Sequence, residues 1–472
     1  MIFFLATLRA TYFAFIIFNI TMLGCTHTTK PNQTSDSTIV KKTSLSSSFD
    51  DQDEFYEYPE DLVVAENNPL PDSIAPISKA NRSIASLSSP AEIEITSKQF
   101  KEEFGATGDG ITEDGMAFFK LIEYVNALPQ DTPVKIIFKD RYVITGGPNL
   151  ATKFGMVQGI PLIKKKNVTI IASGAVFTVP NSFLWQRTLR GGDDNDYFAQ
   201  GFHVTGANFK MIGGLLDGHF QHRIESGAAR PVASERNYGG NEYGLWMQGQ
   251  NWQLSQVTSR NWGTDALLVQ SPGKAEDCNF VRGRRNNVSV AAIGAITENN
   301  PVIFDRCNFY RASAYPEDYY NAPGSGLQIE SKKFPATVIV RNSVFKNSRR
   351  NSIRLSSNAK NCVIENTVVD SDIEFRSPKE SDEYLGHLGG HRLYKVTFEE
   401  RSSVPAIYGR KTNSPITFDR CLFFDYNLSE SPIIQRSNYR RTPDGPLEYN
   451  PIKVKNCRSP LSSFDWNSQV WK

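Results

Sequence analysis

Cysteine and histidine are scarce in this chain, at six residues each among 472. The cysteines form no CxxC pair, and no histidine stands at ligand spacing from them, so the usual zinc sites are excluded. His219 and His222, three residues apart, lack an evident third ligand, and the sequence implies neither metal nor cofactor. Net charge is nearly absent too. Fifty-two basic residues face 50 acidic ones, giving +2, which argues against a general nucleic-acid binder. After the first 25 residues no stretch is long and apolar enough to span a bilayer. What is present, 39% hydrophobic and 11% aromatic residues, excludes a wholly disordered chain and suffices for one large core or two ordinary ones.

The charge is unevenly placed. Residues 1–42 hold four basic and one acidic residue (+3), residues 43–90 hold two basic and nine acidic (−7), and residues 91–472 carry the remaining +6. Near the start, Arg9 precedes an apolar run of about 14 residues, too short to span and ended by small residues, which predicts an export signal over 1–24. The ending Met22-Leu23-Gly24-Cys25 resembles a bacterial lipobox. That resemblance implies cleavage before Cys25, acylation of Cys25 and, with Thr26 following, lipid anchoring at the outer membrane. Residues 25–90 are acidic and rich in Ser, Thr and Pro, with no sustained period. They read as a flexible tether holding the rest some 40–50 Å from the membrane at about 5–6 Å × √n.

Residues 91–472 repeat themselves. PVIFDRCNF (301–309), PITFDRCLF (415–423) and NPIKVKNCRS (450–459) share a frame of alternating apolar residues, two polar residues and a cysteine. Ser173, Gly214, Val257, Cys278, Ser343, Thr367, Cys421 and Cys457 fill the Cys307 position in related phrases. A second strand type lies between: Gly244-Leu245-Trp246-Met247, Ala266-Leu267-Leu268-Val269, Asn287-Val288-Ser289-Val290, Gly326-Leu327-Gln328-Ile329 and Ser352-Ile353-Arg354-Leu355. Short period-2 strands punctuated by Asn, Gly and Asp, several per turn, describe an all-β solenoid of stacked parallel strands. Its cysteine column faces inward, each thiol acting as a small hydrophobe. The open end of such a coil needs a cover. A helix N-capped by Thr112, presenting Met116, Phe119, Ile122 and Tyr124 and stopped by Pro129, supplies one.

The segment FGATGDGITEDGMAF (104–118) resembles the entry motif of the pectate-lyase-like superfamily, the right-handed parallel β-helices that include polygalacturonases, polysaccharide lyases, epimerases and phage tailspikes. With the repeats, the resemblance covers about 100–460. It implies a right-handed parallel β-helix and a polysaccharide as partner. It leaves the reaction open, because the fold hosts several chemistries. Gly108-Asp109-Gly110 reads as part of the entry turn rather than a phosphate or calcium loop. The polygalacturonase signatures are missing.

Strand framing predicts three outward columns on one sheet. The first holds Tyr243, Asp265, Asn286, Ser325 and Asn351. The middle one holds Trp246, Leu268, Ser289, Gln328, Arg354 and, if residues 372–375 form the next rung, Glu374. The last holds Gln248, Gln270, Ala291, Glu330 and Ser356. Glycoside cleavage normally takes two carboxyl groups. On straight strands Asp265 and Glu330 would lie about 19 Å apart, whereas the Glu330 and Glu374 backbones would lie about 11–12 Å apart with Arg354 between them. Glu330, Glu374, Arg354 and Asp265 are therefore the catalytic candidates. Arg284-Arg285 and Arg349-Arg350 edge the first column, with Arg285 expected to reach Asp265, and suit carboxylate or sulfate groups. Asp265 also matches the place where relatives in the resembled superfamily carry an acid. Gln328, Trp246, Tyr243, Tyr319 and Tyr320 complete the expected binding wall. A glycoside hydrolase of an acidic polysaccharide leads; a lyase or epimerase of uronate chains, with Arg or Lys as base, and a non-catalytic glycan binder or adhesin are the alternatives.

Overall fold

The computed structural model describes residues 91–144, 150–152, 155–159, 162–183, 197–226, 242–313, 324–356, 358–375, 389–399, 415–423 and 452–458. Cys25, the signal and the tether lie outside them, as do Tyr319 and Tyr320. No helix among the described residues is long and apolar enough to cross a membrane.

The chain winds into the expected parallel β-helix. Among the described residues, twelve, eleven and seven strands form three sheets whose pairs are all parallel, strands bonding to their counterparts in neighbouring turns. One complete turn runs through Trp252–Ser255, Thr258–Arg260 and Asp265–Val269 before Gly273–Glu276 pairs back onto its start. A small fourth sheet, Leu150–Thr152, Gly155–Gly159 and Tyr197–Gln200, contains the antiparallel pair among the described residues. Single residues with φ near +55° swing the chain between the first two sheets, among them Asp277, Asn342, Asn366 and Asn456. Asn and Asp tolerate this left-handed conformation better than most side chains, which explains their punctuation of the repeats.

Inside the coil, equivalent residues stack rung on rung. Phe309 lies flat on Phe345 (ring centroids 4.1 Å apart, planes 4° apart), and Phe398 on Phe423 (4.6 Å, 5°). Cys278, Cys307, Cys362, Cys421 and Cys457 are free thiols and all are buried, as their apolar frame demands. Two details of the repeat differ from the phrase alignment. Ala175, not Ser173, occupies the inward position beside Gly214, because Gly174 (φ +81°) adds a turn there. The rung Arg392–Tyr394 with Thr397–Phe398, centred on buried Val396, escaped notice because it carries no cysteine.

Two helices pack on the first rungs. Helix α1 (Ser97–Phe104) carries a capping box in which Thr96 Oγ1 accepts from Gln99 N and Gln99 Oε1 accepts from Thr96 N. Helix α2 (Gly115–Ala127) begins after Asp114, not Thr112. Thr112 instead donates to Asp109 Oδ2 in the entry turn, while buried Asp114 accepts from Thr107 N at 2.6 Å. The expected apolar face also rotates. Ala117, Phe118, Leu121, Ile122 and Val125 are buried, whereas Met116 and Tyr124 are exposed. Phe100 and Phe118 join Phe138, Tyr142 and Phe177 in one aromatic cluster, so the helices extend the core of the coil.

Candidate functional site

Seven strands make the third sheet: β1 (Phe202–Val204), β2 (Tyr243–Met247), β3 (Asp265–Val269), β4 (Asn286–Val290), β5 (Ser325–Ile329), β6 (Asn351–Leu355) and β7 (Asp372–Phe375). Their register reproduces the columns read from the sequence. Tyr243 pairs with Asp265, Asp265 with Asn286 and Asn286 with Ser325. Trp246, Leu268, Ser289, Gln328, Arg354 and Glu374 follow one another across adjacent strands. His203 heads this middle column by pairing with Trp246. It was missed although Gly201-Phe202-His203-Val204 fits the same small–apolar–variable–apolar frame.

At the centre, Arg285 enters a fork with Asp265, its Nε donating to Oδ1 at 3.0 Å and its Nη2 to Oδ2 at 2.5 Å. The same Nη2 lies 2.7 Å from Glu330 Oε1 and 3.0 Å from Ser289 Oγ. Asp265 also accepts from the Asn286 backbone at 3.0 Å and is wholly buried. The separation expected for Asp265 and Glu330 is therefore wrong: one guanidinium nitrogen touches both. Ala266 and Leu267 are consecutive and both fully buried, so the strand does not alternate, and Arg285 reaches both carboxyl groups from outside the first column. Asn287-Val288 and Ser352-Ile353 repeat the break on other rungs. Asp265 is wholly buried behind Arg285, which engages both of its carboxylate oxygens.

Burial opposes the charge of Arg285, yet Asp265 and Glu330 outweigh it and hold the guanidinium well above its ordinary range. Burial raises Glu330 above the usual carboxylate range, with Arg285 pulling it down and Asp265 adding to the rise. Gln328 Nε2 donates to Glu330 Oε2 at 3.3 Å.

One rung further on, Arg354 Nε lies 2.9 Å from Glu374 Oε2, but the N–H is not aimed at the oxygen and makes no hydrogen bond. Burial pushes Glu374 up to about 7, against the pull of Arg350. Arg285, Gly324 and Arg350 occupy successive rungs just outside the first column, linked by Gly324 N to Arg285 O and Arg350 N to Gly324 O. Arg284 and Arg349 take the preceding, half-buried positions.

The opposite end of the column is aromatic and amide-rich. Trp246 stacks on His203 (4.0 Å, 2°) and gives its Nε1 to Gln270 Oε1 at 2.9 Å. Gln248 donates to the same Gln270 oxygen and bonds His203 Nε2 at 2.8 Å. Tyr243 is buried, which lifts its hydroxyl above the ordinary range. Trp246 gives one ring face to His203 and Tyr243 is enclosed, so this end is a packed wall with an amide edge. Nearby, Arg223 and Glu242 form a fully buried two-point ion pair (3.0 and 2.6 Å). His219 sits against Asp217, and among the described residues no group of three His, Cys, Asp or Glu could hold a metal.

No protein-family model matches the chain, and no curated protein does. Solved structures similar to it include ORF18 of Geobacillus virus E2 (13% identity, 78% of this chain, 62% of that one, TM-score 0.44). They also include the A-module of mannuronan C-5 epimerase AlgE4 from Azotobacter vinelandii (13%, 78% and 96%, TM-score 0.41). A third is an endo-xylogalacturonan hydrolase from Aspergillus tubingensis (13%, 78% and 93%, TM-score 0.42). Likeness this distant transfers neither residues nor reaction. The parallel β-helix itself is read from the three parallel sheets of this chain.

Proposed function

We propose that the protein is a glycoside hydrolase of an acidic polysaccharide, with Glu374 as general acid and Glu330 as the second carboxyl group. The observation that carries this reading is that burial raises both carboxyl groups on a sheet face that also holds Arg285, Arg350 and Arg354. An acid near 7 is partly protonated at neutral pH and suited to protonating a leaving glycosidic oxygen. Glu330 stands two rungs away and two residues further along its strand, about 11–12 Å between backbones. The carboxyl separation of about 6.5–9.5 Å used by inverting enzymes, which leaves room for the attacking water, is reached when Glu330 turns from Arg285 toward Glu374. The arginines match the carboxylates of an acidic chain.

A lyase with Arg285 as base is disfavoured, since Asp265 and Glu330 keep that guanidinium protonated. The test is a screen of uronate and sulfated polysaccharides, reading reducing ends, the ultraviolet band of unsaturated sugars and the anomer released. Hydrolysis yields reducing ends without the band, and Glu330→Gln and Glu374→Gln each abolish most of it. Full turnover in both variants would overturn the assignment, and binding without any product would favour a glycan-binding module or adhesin. We further propose that residues 1–90 deliver the enzyme to the envelope through lipid on Cys25; loss of fatty-acid labelling in Cys25→Ser checks this.

A further inference from the structure

We infer that Cys421 and Cys457 are an oxidisable pair, which closes to a disulfide in an oxidising compartment and staples the rung containing Ile452–Lys455 to the rung before it. The inference does not rest on the hydrolase reading. Register sets the pair. Asp419 pairs with Lys455 and Leu422 bridges to Arg458, so Cys421 and Cys457 stand opposite one another on successive rungs. Arg458 N donates to Cys421 O at 3.0 Å across the two rungs. Each cysteine follows a residue in the left-handed conformation, Arg420 (φ +56°) and Asn456 (φ +52°), so both backbones aim their side chains alike. Cα atoms on neighbouring strands lie about 4.8 Å apart, within the range of about 4.4–6.8 Å that a disulfide spans. The two thiols touch. That contact, together with burial, raises Cys421, and the same contact lowers Cys457 from its ordinary range. Cys457 is therefore the partner that forms the nucleophilic thiolate.

A second stacked pair supplies the contrast. Cys278 and Cys307 lie opposite one another in the same way, since Glu276 pairs with Asp305 and Asn279 with Asn308. Both are 0% exposed, and their rungs carry paired strands on each side. Cys457 is the least enclosed of the five described cysteines, at 7%. Among the described residues, Ile452–Lys455 pairs with one neighbour, Ile416–Asp419. A strand held on one side opens at lower cost than one held on both, so an oxidant reaches Cys457 and not Cys307. The oxidant is a small disulfide, or the disulfide of a thiol oxidoreductase, as found where exported proteins fold. The Cys457 thiol gives its proton to solvent, and the thiolate attacks one sulfur of that disulfide. The S–S bond breaks, leaving a mixed disulfide on Cys457 and one released thiol. Cys421 then loses its proton, attacks the Cys457 sulfur and releases the second thiol. The protein gives up two protons and two electrons, and the oxidant becomes two thiols.

The experiment exposes the full chain, folded and reduced, to oxidised glutathione at neutral pH. Remaining thiols are then blocked and the peptides mapped without reduction. One cross-link is expected, between Cys421 and Cys457, with Cys278, Cys307 and Cys362 still thiols. The cross-linked protein should melt at least about 3 °C higher, and dithiothreitol should reverse the gain. Cys421→Val matches Val257 and Val396 in the same inward column, so the variant folds. It should show neither the cross-link nor the reversible gain, and should keep glutathione on Cys457. Four results overturn the inference: a Cys457 thiol that does not react, glutathione that stays on Cys457 of the unsubstituted protein, a Cys278–Cys307 bond that forms as readily, or a cross-link that leaves the melting temperature unmoved.

Discussion

Replacing Glu374 by Gln separates the two forces acting on that carboxyl group. Burial lifts it from 4.5 to about 7, and its side chain is only 13% exposed. Each pKa unit is worth about 1.4 kcal/mol, so ionising Glu374 in the fold costs about 3 kcal/mol more than in the unfolded chain. The folded state holds the proton more tightly. Its contribution is therefore fully present below pH 4.5 and is lost as pH rises through 7. Gln has the same shape and no proton to lose. Urea titrations of both proteins at pH 5 and pH 8 should show the variant gaining about 2–3 kcal/mol relative to the parent across that interval, with the other carboxylates cancelling. The same substitution should lower turnover by about 10²–10⁴-fold, and the parent's rate should fall as pH rises past 7, where the acid is spent. Parallel stability profiles for the two proteins would refute the reasoning. They would mean that Arg354, 2.9 Å away, outweighs burial and that Glu374 is an ionised partner instead of an acid.

Four further outcomes follow from the geometry. Arg285→Ala strands buried Asp265 without its cation and should cost about 3–5 kcal/mol by chemical denaturation, more than Arg350→Ala at its exposed position. Arg223→Met should cost a similar amount, about 3–5 kcal/mol, because Glu242 is left charged and fully buried; recovery in the double variant with Glu242→Leu would confirm the cause. Phe309→Ala removes a ring stacked on Phe345 and should lose about 3–5 kcal/mol, read as a fall in melting temperature. Cys307→Ala should cost far less, about 1 kcal/mol, and leave turnover unchanged, since its buried thiol acts as a small apolar group.

The repeat was legible because a solenoid writes its geometry into local spacing. Apolar residues recur at short intervals and each turn restarts the same phrase, so the columns from Tyr243 to Asn351 and from Trp246 to Glu374 follow from the spacing. His203 and the rung at 392–398 carry the same code in weaker form, the one ahead of the long gap that precedes Tyr243, the other with Val396 in place of the cysteine marker. The start of α2 was misplaced by two residues because Thr112 and Asp114 are both good caps, and only the entry turn decides that Asp109 takes the threonine.

Amino-acid order alone thus settled the coil, its inward cysteines and the assignment of residues to columns, since these depend on period and polarity. Tertiary structure decided which charges meet. The length of the Arg285 side chain brings Asp265 and Glu330 onto one nitrogen, and no count of residues along straight strands contains that reach. It also decided which groups are enclosed, and hence that Glu374 is lifted toward 7 while Gln328 keeps an oxygen unspent, because desolvation is a property of everything packed around an atom and not of its neighbours in sequence.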